Sequence, residues 1–359
     1  MDTNENRLAE IDVLLEELVL REASDLHIKV GEPPIYRIFG KLTRSEFPAI
    51  TDEYSRNLLH KIMDEEHRKR FEKSRELDFA YTIPGIARFR VNVFIQRGHI
   101  GAAMRIIPLK IKTIDEWELP QILKKLSFLQ KGLIVITGPT GSGKSTTLAA
   151  IIEHINQNRS AHIITIEDPI EFLFTDNLST IEQRGLGIDT KSFSSSLKHA
   201  MKQSPDVIMI GEMRDYETIS LAMKTAEMGN LVLGTLHTAD AAQTIDRIIS
   251  AFPPDEHSRA RLELSNILNA VVSQALMPSV DESSIVAAFE ILICTQAVKS
   301  LIVEGKTPQI YSAIQSGGKY GMQSLNSQLK ELYKGEKISY ESALAKCSKP
   351  DEFEHSLLT

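Results

Sequence analysis

Short apolar runs alternate with amphipathic segments through the middle of the chain. Four runs have the length and composition of buried strands. They are Gly132–Thr137, His162–Glu167, Val207–Gly211 and Leu231–Leu236. Segments with helical spacing of apolar residues accompany them, at Lys144–Asn156, Phe193–Lys202, Glu217–Glu227 and Ala239–Ser250. This alternation predicts an α/β domain with a mainly parallel sheet.

The pattern in the first hundred residues is different. Apolar residues at helical spacing predict a helix over Glu5–Glu22, and a second helical stretch covers Tyr54–Lys73. Glycines and prolines separate short strands within Ser24–Thr43. Three longer strand candidates follow, at Glu76–Thr82, Ala87–Gln96 and Ala102–Ile107. This mixture predicts a smaller α+β domain over residues 1–108.

A segment with two prolines, IPLKIKTIDEWELP, separates the two patterns. We predict a linker over residues 109–118 and a second domain over residues 119–359. From His257 onward the second domain is predicted to be mostly helical, interrupted by a strand-like segment at Ser284–Ile293.

Composition narrows the class of protein. The chain has 359 residues, of which 42% are hydrophobic and 25% are charged, as in a soluble globular protein. Its net charge of −7 disfavours a nucleic-acid backbone as the main partner. The two cysteines, Cys294 and Cys347, lie far apart and have no metal-site spacing. The acidic start contains no signal-type apolar core, and we expect a cytoplasmic protein.

The most specific motif follows the first predicted strand of the second domain. It matches the phosphate-binding P-loop pattern between a strand and a helix, which is the context that the pattern requires. The glycines let backbone N–H groups approach phosphates, the lysine adds a positive charge, and the serine hydroxyl is a ligand for Mg²⁺. The predicted nucleotide-binding residues are Gly138, Pro139, Thr140, Gly141, Ser142, Gly143, Lys144, Ser145 and Thr146.

Two further strands carry carboxylates at their ends. Glu212 follows the strand that starts after Asp206, where P-loop proteins place the acid that manages Mg²⁺ and water. The segment Glu167–Glu171 brings three more carboxylates to the end of another strand. Either Glu167 or Glu212 is a candidate for the group that positions the attacking water. The alternative is that the acids at these strand ends are only solvated.

His237 follows the next strand along the chain. A histidine in this position is often a structural residue. Its place after the strand that succeeds the Glu212 strand makes it a candidate sensor of the γ-phosphate.

These motifs, in this order and spacing, resemble the secretion ATPases of type II secretion and type IV pili. The segments that carry the resemblance are GPTGSGKST, IEDPIEF, DVIMIGEMRDYET and GTLHTADAAQTIDRI. The segments SDLH and GEPPIYRIFGKL resemble the amino-terminal domain of the pilus retraction branch, the twitching-motility ATPases. The resemblance extends over nearly the whole chain.

The resemblance implies a RecA-like P-loop ATPase domain, a PAS-like amino-terminal domain and a hexameric ring with ATP and Mg²⁺ between subunits. It assigns the family's acidic box to Glu167–Glu171, its Walker B glutamate to Glu212 and its histidine box to His237. It also implies catalytic arginines from the amino-terminal domain. We expect these to be Arg90 and Arg105, with Arg88 and Arg97 as competitors. On the strand pattern alone, Arg88 and Arg90 would form a solvated polar face.

The expected function is that of a hexameric motor that couples ATP hydrolysis to pilus retraction and twitching motility, docked on an inner-membrane platform protein. A paralogous retraction ATPase is a further expected partner. Two alternatives remain open. A pilus-extension or type II secretion ATPase would usually carry a longer amino terminus and a four-cysteine zinc motif. An accessory or regulatory paralogue is suggested by Ala297–Glu304, where the family's AIRNLIRE motif is altered.

Overall fold

The computed structural model describes residues 10–38, 40–107 and 110–357. The chain divides into two units. The first extends to Lys110 and includes Glu171–Leu173, and the second comprises Ile111–Ile170 and Phe174–Thr359. The start of the predicted helix Glu5–Glu22, up to residue 9, lies outside the described residues, as does residue 109 of the predicted linker.

The described residues of the first unit form three helices and a six-stranded antiparallel sheet with strand order β3-β2-β1-β6-β5-β4. Its elements are α1 (Ile11–Leu20), β1 (Asp25–Ile28), β2 (Ile35–Ile38), β3 (Lys41–Arg44), α2 (Asp52–Lys61), α3 (Glu65–Ser74), β4 (Glu76–Ile83), β5 (Ala87–Gln96) and β6 (His99–Ile107). One face of the sheet is buried with the apolar sides of the helices, as Phe89, Val91 and Val93 of β5 show. Alternate residues lie on the opposite, polar face.

The helical stretch predicted over Tyr54–Lys73 consists of two helices in the structure. The first ends at Lys61, and the Asp64 carboxylate accepts a hydrogen bond of 2.7 Å from the backbone N–H of His67. An aspartate that caps the amino terminus in this way begins a new helix.

The second unit contains a seven-stranded sheet with order β13-β12-β7-β11-β10-β8-β9. All neighbouring strands are parallel except β12 and β13. The strands are β7 (Gly132–Thr137), β8 (His162–Glu167), β9 (Thr180–Gly185), β10 (Val207–Ile210), β11 (Leu231–Leu236), β12 (Leu268–Pro278) and β13 (Ile285–Ile293). The predicted mainly parallel α/β sheet is confirmed.

Eleven helices of four residues or more are described in this unit. They are α4 (Ile122–Ser127), α5 (Lys144–Asn158), α6 (Phe193–Ala200), α7 (Tyr216–Glu227), α8 (Ala241–Ser250), α9 (His257–Ile267), α10 (Gln296–Val303), α11 (Ile310–Ser316), α12 (Leu325–Lys334), α13 (Tyr340–Lys346) and α14 (Pro350–Leu357). Separate apolar clusters cover the two faces of the sheet, since Leu133 and Val135 belong to one and Ile134 and Ile136 to the other. Burial on both faces explains why these strands are continuously apolar.

The prediction that the chain is mostly helical from His257 is wrong for Leu268–Pro278. This segment is the eleven-residue strand β12, which lies between β7 and β13. It follows α9 without a turn. Its apolar residues are interrupted by Asn269, Ser273 and Gln274, and this pattern does not distinguish a buried strand from a buried helix. The edge strand Thr180–Gly185 was also not predicted, because it is largely polar.

Candidate functional site

Parallel pairing brings the ends of four strands to one edge of the second unit's sheet. Thr137 at the end of β7 pairs with Leu236 at the end of β11, while Ile210 of β10 pairs with Gly234 of β11 and with Ile166 of β8. The residues that follow these strands therefore leave the sheet side by side. They include the P-loop, the histidine, and the carboxylates predicted from the sequence.

The P-loop backbone depends on its glycines. Gly138, Gly141 and Gly143 have φ angles of 143°, 79° and 85°, which L-residues rarely adopt. A Cβ atom at Gly138 would lie 2.4 Å from the backbone oxygen of Gln274, so a larger residue has no space there. Helix α5 begins immediately after the loop, at Lys144. The amino end of a fifteen-residue helix thus faces the loop, as an anion site requires.

Lys144 lies against the loop that precedes it. Its side chain is buried, and its Nζ donates to the carbonyl oxygens of Gly138 at 2.8 Å and Pro139 at 3.0 Å. The same ammonium is 3.5 Å from Nδ1 of His237. An ammonium has only donors. Nδ1 of His237 is therefore the acceptor in this contact.

His237 joins Lys144 to the Walker B position. Its Nε2 lies 3.1 Å from Oε1 of Glu212, and Oε2 of Glu212 lies 2.6 Å from Arg214. With Nδ1 accepting from Lys144, Nε2 carries the proton that is donated to the carboxylate. The structure thus brings three predicted site residues, Lys144, Glu212 and His237, into one chain of contacts.

The electrostatics of this chain keep Glu212 ionised. Burial alone would raise the pKa of its carboxyl group, but the hydrogen bond from Arg214 and the interaction with His237 outweigh burial and lower the pKa below its ordinary value. A carboxylate with two donors already in place accepts further bonds through its remaining lone pairs.

Glu167 occupies the end of β8 and is only 7% exposed. The hydroxyl of Thr165 donates to its Oε1 at 2.6 Å, and Nε2 of Gln183 donates to the same oxygen at 3.1 Å. Its orientation is thus fixed by two neighbouring strands. The prediction that Glu167 acts on water stays a prediction.

Threonine hydroxyls connect the end of β7 to the loop that carries His237. Thr137 Oγ1 donates to the carbonyl of Thr238 at 2.7 Å, and the hydroxyls of Thr238 and Thr244 are 2.7 Å apart. Thr244 lies on α8, which begins just after the loop and is capped by the Asp240 carboxylate. The residue after His237 is therefore held by hydrogen bonds to both β7 and α8.

The remaining P-loop residues differ in exposure. Ser142 is buried, Ser145 and Thr146 are half-buried at the start of α5, and Pro139 and Thr140 are exposed.

Serine hydroxyl and carboxylate oxygens are suitable ligands for Mg²⁺, which usually keeps several waters and needs few protein ligands. Ser145 and Glu212 supply this donor set, so the residues fit the predicted metal.

The predicted arginines belong to the first unit. Nε of Arg105 lies 2.8 Å from Oδ1 of Asp25, a buried carboxylate that also pairs with Arg37 at 3.3 Å. Arg90 is directly opposite Arg105 in the β5–β6 register and approaches Asp78 at 3.8 Å. These side chains share the polar face of the sheet. The competitor Arg88 shares that face, with NH1 3.5 Å from the Thr82 hydroxyl, whereas Arg97 lies in the turn after β5.

Two residues of the site were missed by sequence reasoning. Arg214 follows Glu212 by two positions, and its positive charge so close to this carboxylate could have indicated that the two side chains pair. Gln274 accepts a hydrogen bond of 2.8 Å from Thr147 on α5, but it lies in the strand that was predicted to be helical. No feature of the sequence indicated that β12 would lie beside the P-loop.

Fold and site together define a P-loop ATPase. The model of the type II/IV secretion system protein family matches residues 6–302, and the chain belongs to this family. The resemblance to pilus retraction ATPases is confirmed. The chain is 46% identical to the type IV pilus retraction ATPase PilT of Pseudomonas aeruginosa, over 92% of this chain and 96% of that protein.

Two further relatives are informative. The type IV pilus ATPase PilU of Pseudomonas aeruginosa is 40% identical, over 94% of this chain and 88% of that protein. A crystal structure of the pilus retraction motor PilT with bound ADP superimposes with a TM-score of 0.90 at 42% identity, covering 97% of this chain and all of that one. The predicted RecA-like ATPase domain with an amino-terminal domain and the predicted ATPase activity are confirmed by these likenesses.

Among the described residues, no helix has the length and apolar character needed to span a membrane.

Proposed function

We propose that this chain is a hexameric, cytoplasmic motor that couples ATP hydrolysis to type IV pilus retraction. The motor is held at the inner membrane by a platform protein of the pilus. We place the domain boundary as the sequence predicts it, with an amino-terminal domain over residues 1–108, a linker over 109–118 and the ATPase domain over 119–359.

The observation that carries this proposal is the contact chain at the P-loop. Lys144, His237 and Glu212 come from three separate motifs and meet at one edge of the sheet. A phosphate-binding loop that is linked through a histidine to an ionised carboxylate supports both nucleotide binding and the activation of water. The likeness to PilT over nearly the full length supports pilus retraction as the work performed.

In the proposed mechanism, backbone N–H groups of the P-loop and the Lys144 ammonium bind the β- and γ-phosphates. Glu212 or Glu167 orients the attacking water and accepts its proton. His237 contacts both Lys144 and Glu212, and it therefore reports the presence of the γ-phosphate to the carboxylate. Ser145 and Glu212 would hold Mg²⁺, which supplies charge neutralisation on the phosphates when bound.

The arginines complete the charge balance. Arg90 and Arg105 are proposed to reach the phosphates and to neutralise charge that develops in the transition state, as arginine fingers do in other nucleotide hydrolases. Movement of the first unit relative to the second, hinged near Lys110–Glu118, would then convert hydrolysis into mechanical work.

A second candidate function is that of an accessory or regulatory paralogue that acts together with another retraction ATPase. It is favoured by Val303 on α10, a large apolar side chain that is 46% exposed. Valine stands there in place of an arginine of the family's motif. The likeness to PilU supports the same candidate.

An extension or secretion ATPase is less well supported. The four-cysteine zinc motif of those branches requires four thiolates, and this sequence has only Cys294 and Cys347. Both are present as free thiols, and burial raises the pKa of the Cys294 thiol to about 12.

The proposal is tested by counting surface pili in cells whose own copy carries Lys144→Ala. This change removes the phosphate-binding charge, and a Lys198→Ala copy, which changes an exposed lysine of α6, is the matched control. Excess pili with lost surface motility are expected if the chain drives retraction. Bald cells would show extension instead, and unchanged pilus numbers with normal motility would favour the accessory role.

A further inference from the structure

We infer that Gln274 is a positioning residue for nucleotide binding, because its side chain and backbone hold the P-loop and the first turn of α5 in place. The inference rests on the proposed nucleotide site. Gln274 does not itself touch the phosphates in this account. It acts through Thr147 and through Gly138 and Gly143, the glycines at the two ends of the loop.

Gln274 lies where β12 runs beside the P-loop strand. Ser273 pairs with Thr137, the last residue of β7, so Gln274 is at the level at which the loop begins. The residue is only 5% exposed. A buried amide must find hydrogen-bond partners, since leaving it unsatisfied costs stability. Its orientation is therefore restricted.

The side-chain oxygen of Gln274 anchors helix α5. Thr147 Oγ1 donates to Gln274 Oε1 at 2.8 Å, and both residues are buried. Thr147 is the fourth residue of α5, and its backbone N–H donates to the carbonyl of Gly143 at 3.0 Å. The bond thus fixes the turn of helix whose N–H groups face a phosphate.

Gln274 also lies against both ends of the loop. A Cβ atom at Gly143 would be 2.7 Å from Gln274 Nε2, and one at Gly138 would be 2.4 Å from the Gln274 backbone oxygen. Gln274 is therefore close to the loop at both its first and its last glycine, beside Ser142 at Gly138 and Leu276 at Gly143. A shift of the Gln274 amide would release the loop at the position where it must bind phosphate.

A purely structural role for the Thr147–Gln274 pair makes a different prediction. A buried pair of this kind can be replaced by apolar groups of the same shape with little effect beyond stability. If the pair only fills the core, its loss would change the melting temperature but not the affinity for nucleotide. Affinity for ADP, measured beside thermal stability, separates the two roles.

The test uses isosteric variants of the full chain, with Mg²⁺-ADP binding measured by calorimetry. Thr147→Val and Gln274→Met each remove one partner of the bond, the double variant removes both, and Thr147→Ser keeps the hydroxyl. Thr225→Val removes a buried threonine bond within α7, and Gln323→Met removes a glutamine bond to the Phe289 carbonyl. These two variants are matched controls. Lys144→Ala reports on the nucleotide site itself.

We expect each single variant to bind ADP about fivefold more weakly, the value of one hydrogen bond. The double variant should bind no more weakly than the single variants, because both act through one bond. Thr147→Ser and both controls should bind like the wild type. Wild-type affinity in both Thr147→Val and Gln274→Met, or equal weakening in Thr147→Ser, would overturn the inference. If the wild type fails to bind ADP, or Lys144→Ala binds as well as the wild type, the proposed nucleotide site is wrong.

Discussion

The two units arrange their charged side chains in different ways. In the second unit, Lys144, Glu212 and His237 come from separate strand ends and meet at one edge of a parallel sheet. In the first unit, Arg105 and Arg90 lie across the face of an antiparallel sheet, each beside an aspartate from a neighbouring strand. A parallel sheet gathers distant motifs at a point, whereas an antiparallel sheet spreads them in a row of cross-strand pairs.

In the proposed mechanism the second unit therefore contains the reaction centre, and the first unit supplies arginine side chains as donors. The strand-end site brings the P-loop lysine, a histidine and a carboxylate with a lowered pKa into one chain of contacts. The polar face of the first unit's sheet carries the positive charges of Arg90 and Arg105. Asp78 and Asp25 lie beside them and partly neutralise these charges. We therefore expect the arginines to matter for turnover and the strand ends to matter for both binding and turnover.

The largest expected effect concerns the arginines of the first unit. Arg90→Ala and Arg105→Ala are measured separately by steady-state ATP hydrolysis. At least one should lower kcat by about 10³-fold, the lower end of what arginine fingers contribute elsewhere. Arg37→Ala is the matched control, because Arg37 pairs with the same Asp25 as Arg105. Wild-type turnover in both variants would remove the arginines from the mechanism.

A second expected effect is a pH dependence of stability that comes from the buried carboxyl of Glu290 on β13. This residue is 2% exposed. Its Oε1 accepts a bond of 2.9 Å from the Ala241 N–H at the start of α8, just after the His237 loop. Burial raises its pKa from 4.5 to about 7, and the charge of Asp240 adds to the shift, although bonds from the backbone of Ala241 and Leu325 oppose it.

The sign of the effect on stability follows from proton binding. Between pH 4.5 and about 7 the native state binds more protons at Glu290 than the unfolded state, so its contribution to stability falls as pH rises. The penalty reaches about 3 kcal/mol above pH 7, at roughly 1.4 kcal/mol per pKa unit. Glu290→Gln lacks this titration, and its melting temperature relative to the wild type should rise between pH 5 and pH 8.

Thermal unfolding across this pH range checks the Glu290 prediction. Glu217→Gln, at an exposed carboxylate on α7, should follow the wild-type profile. A difference in melting temperature between Glu290→Gln and the wild type that does not change with pH would contradict the account of this carboxyl.

The smallest expected effect concerns His237. Loss of its imidazole in His237→Ala removes the link between Lys144 and Glu212 and should lower kcat by about tenfold, the low end of effects for a group that assists proton transfer. His237→Gln retains a donor toward Glu212 and should be affected less. His162→Ala, a histidine at the opposite end of β8, is the control. Equal turnover of the wild type and His237→Ala would make this histidine purely structural.

The sequence predicted the parts of the site that follow strands. The P-loop lies between a clear strand and a clear helix, and Glu212 and His237 follow apolar runs whose ends coincide in any parallel sheet. The sequence therefore predicted that Lys144, Glu212 and His237 lie at the same edge of the sheet. The structure brings these residues together there.

The sequence could not predict what depends on register and packing. Gln274 lies beside the P-loop only because β12 pairs with β7, and the pattern of Leu268–Pro278 has no periodicity that identifies its partner strand. The pairing of Asp25 with both Arg37 and Arg105 depends in the same way on cross-strand register. Asp64, which begins a second helix, was a local signal that the helical pattern around it obscured.

The most direct test of the central claim compares ATP hydrolysis and ADP binding in the wild type and in Glu212→Gln. This change removes the carboxylate charge at the point where the P-loop, histidine and Walker B motifs meet, and it preserves the side-chain volume. We expect turnover to fall by about 10²-fold or more, since an acid–base group is lost, while ADP still binds. Turnover equal to that of the wild type would contradict the claim that these strand ends form the site of hydrolysis.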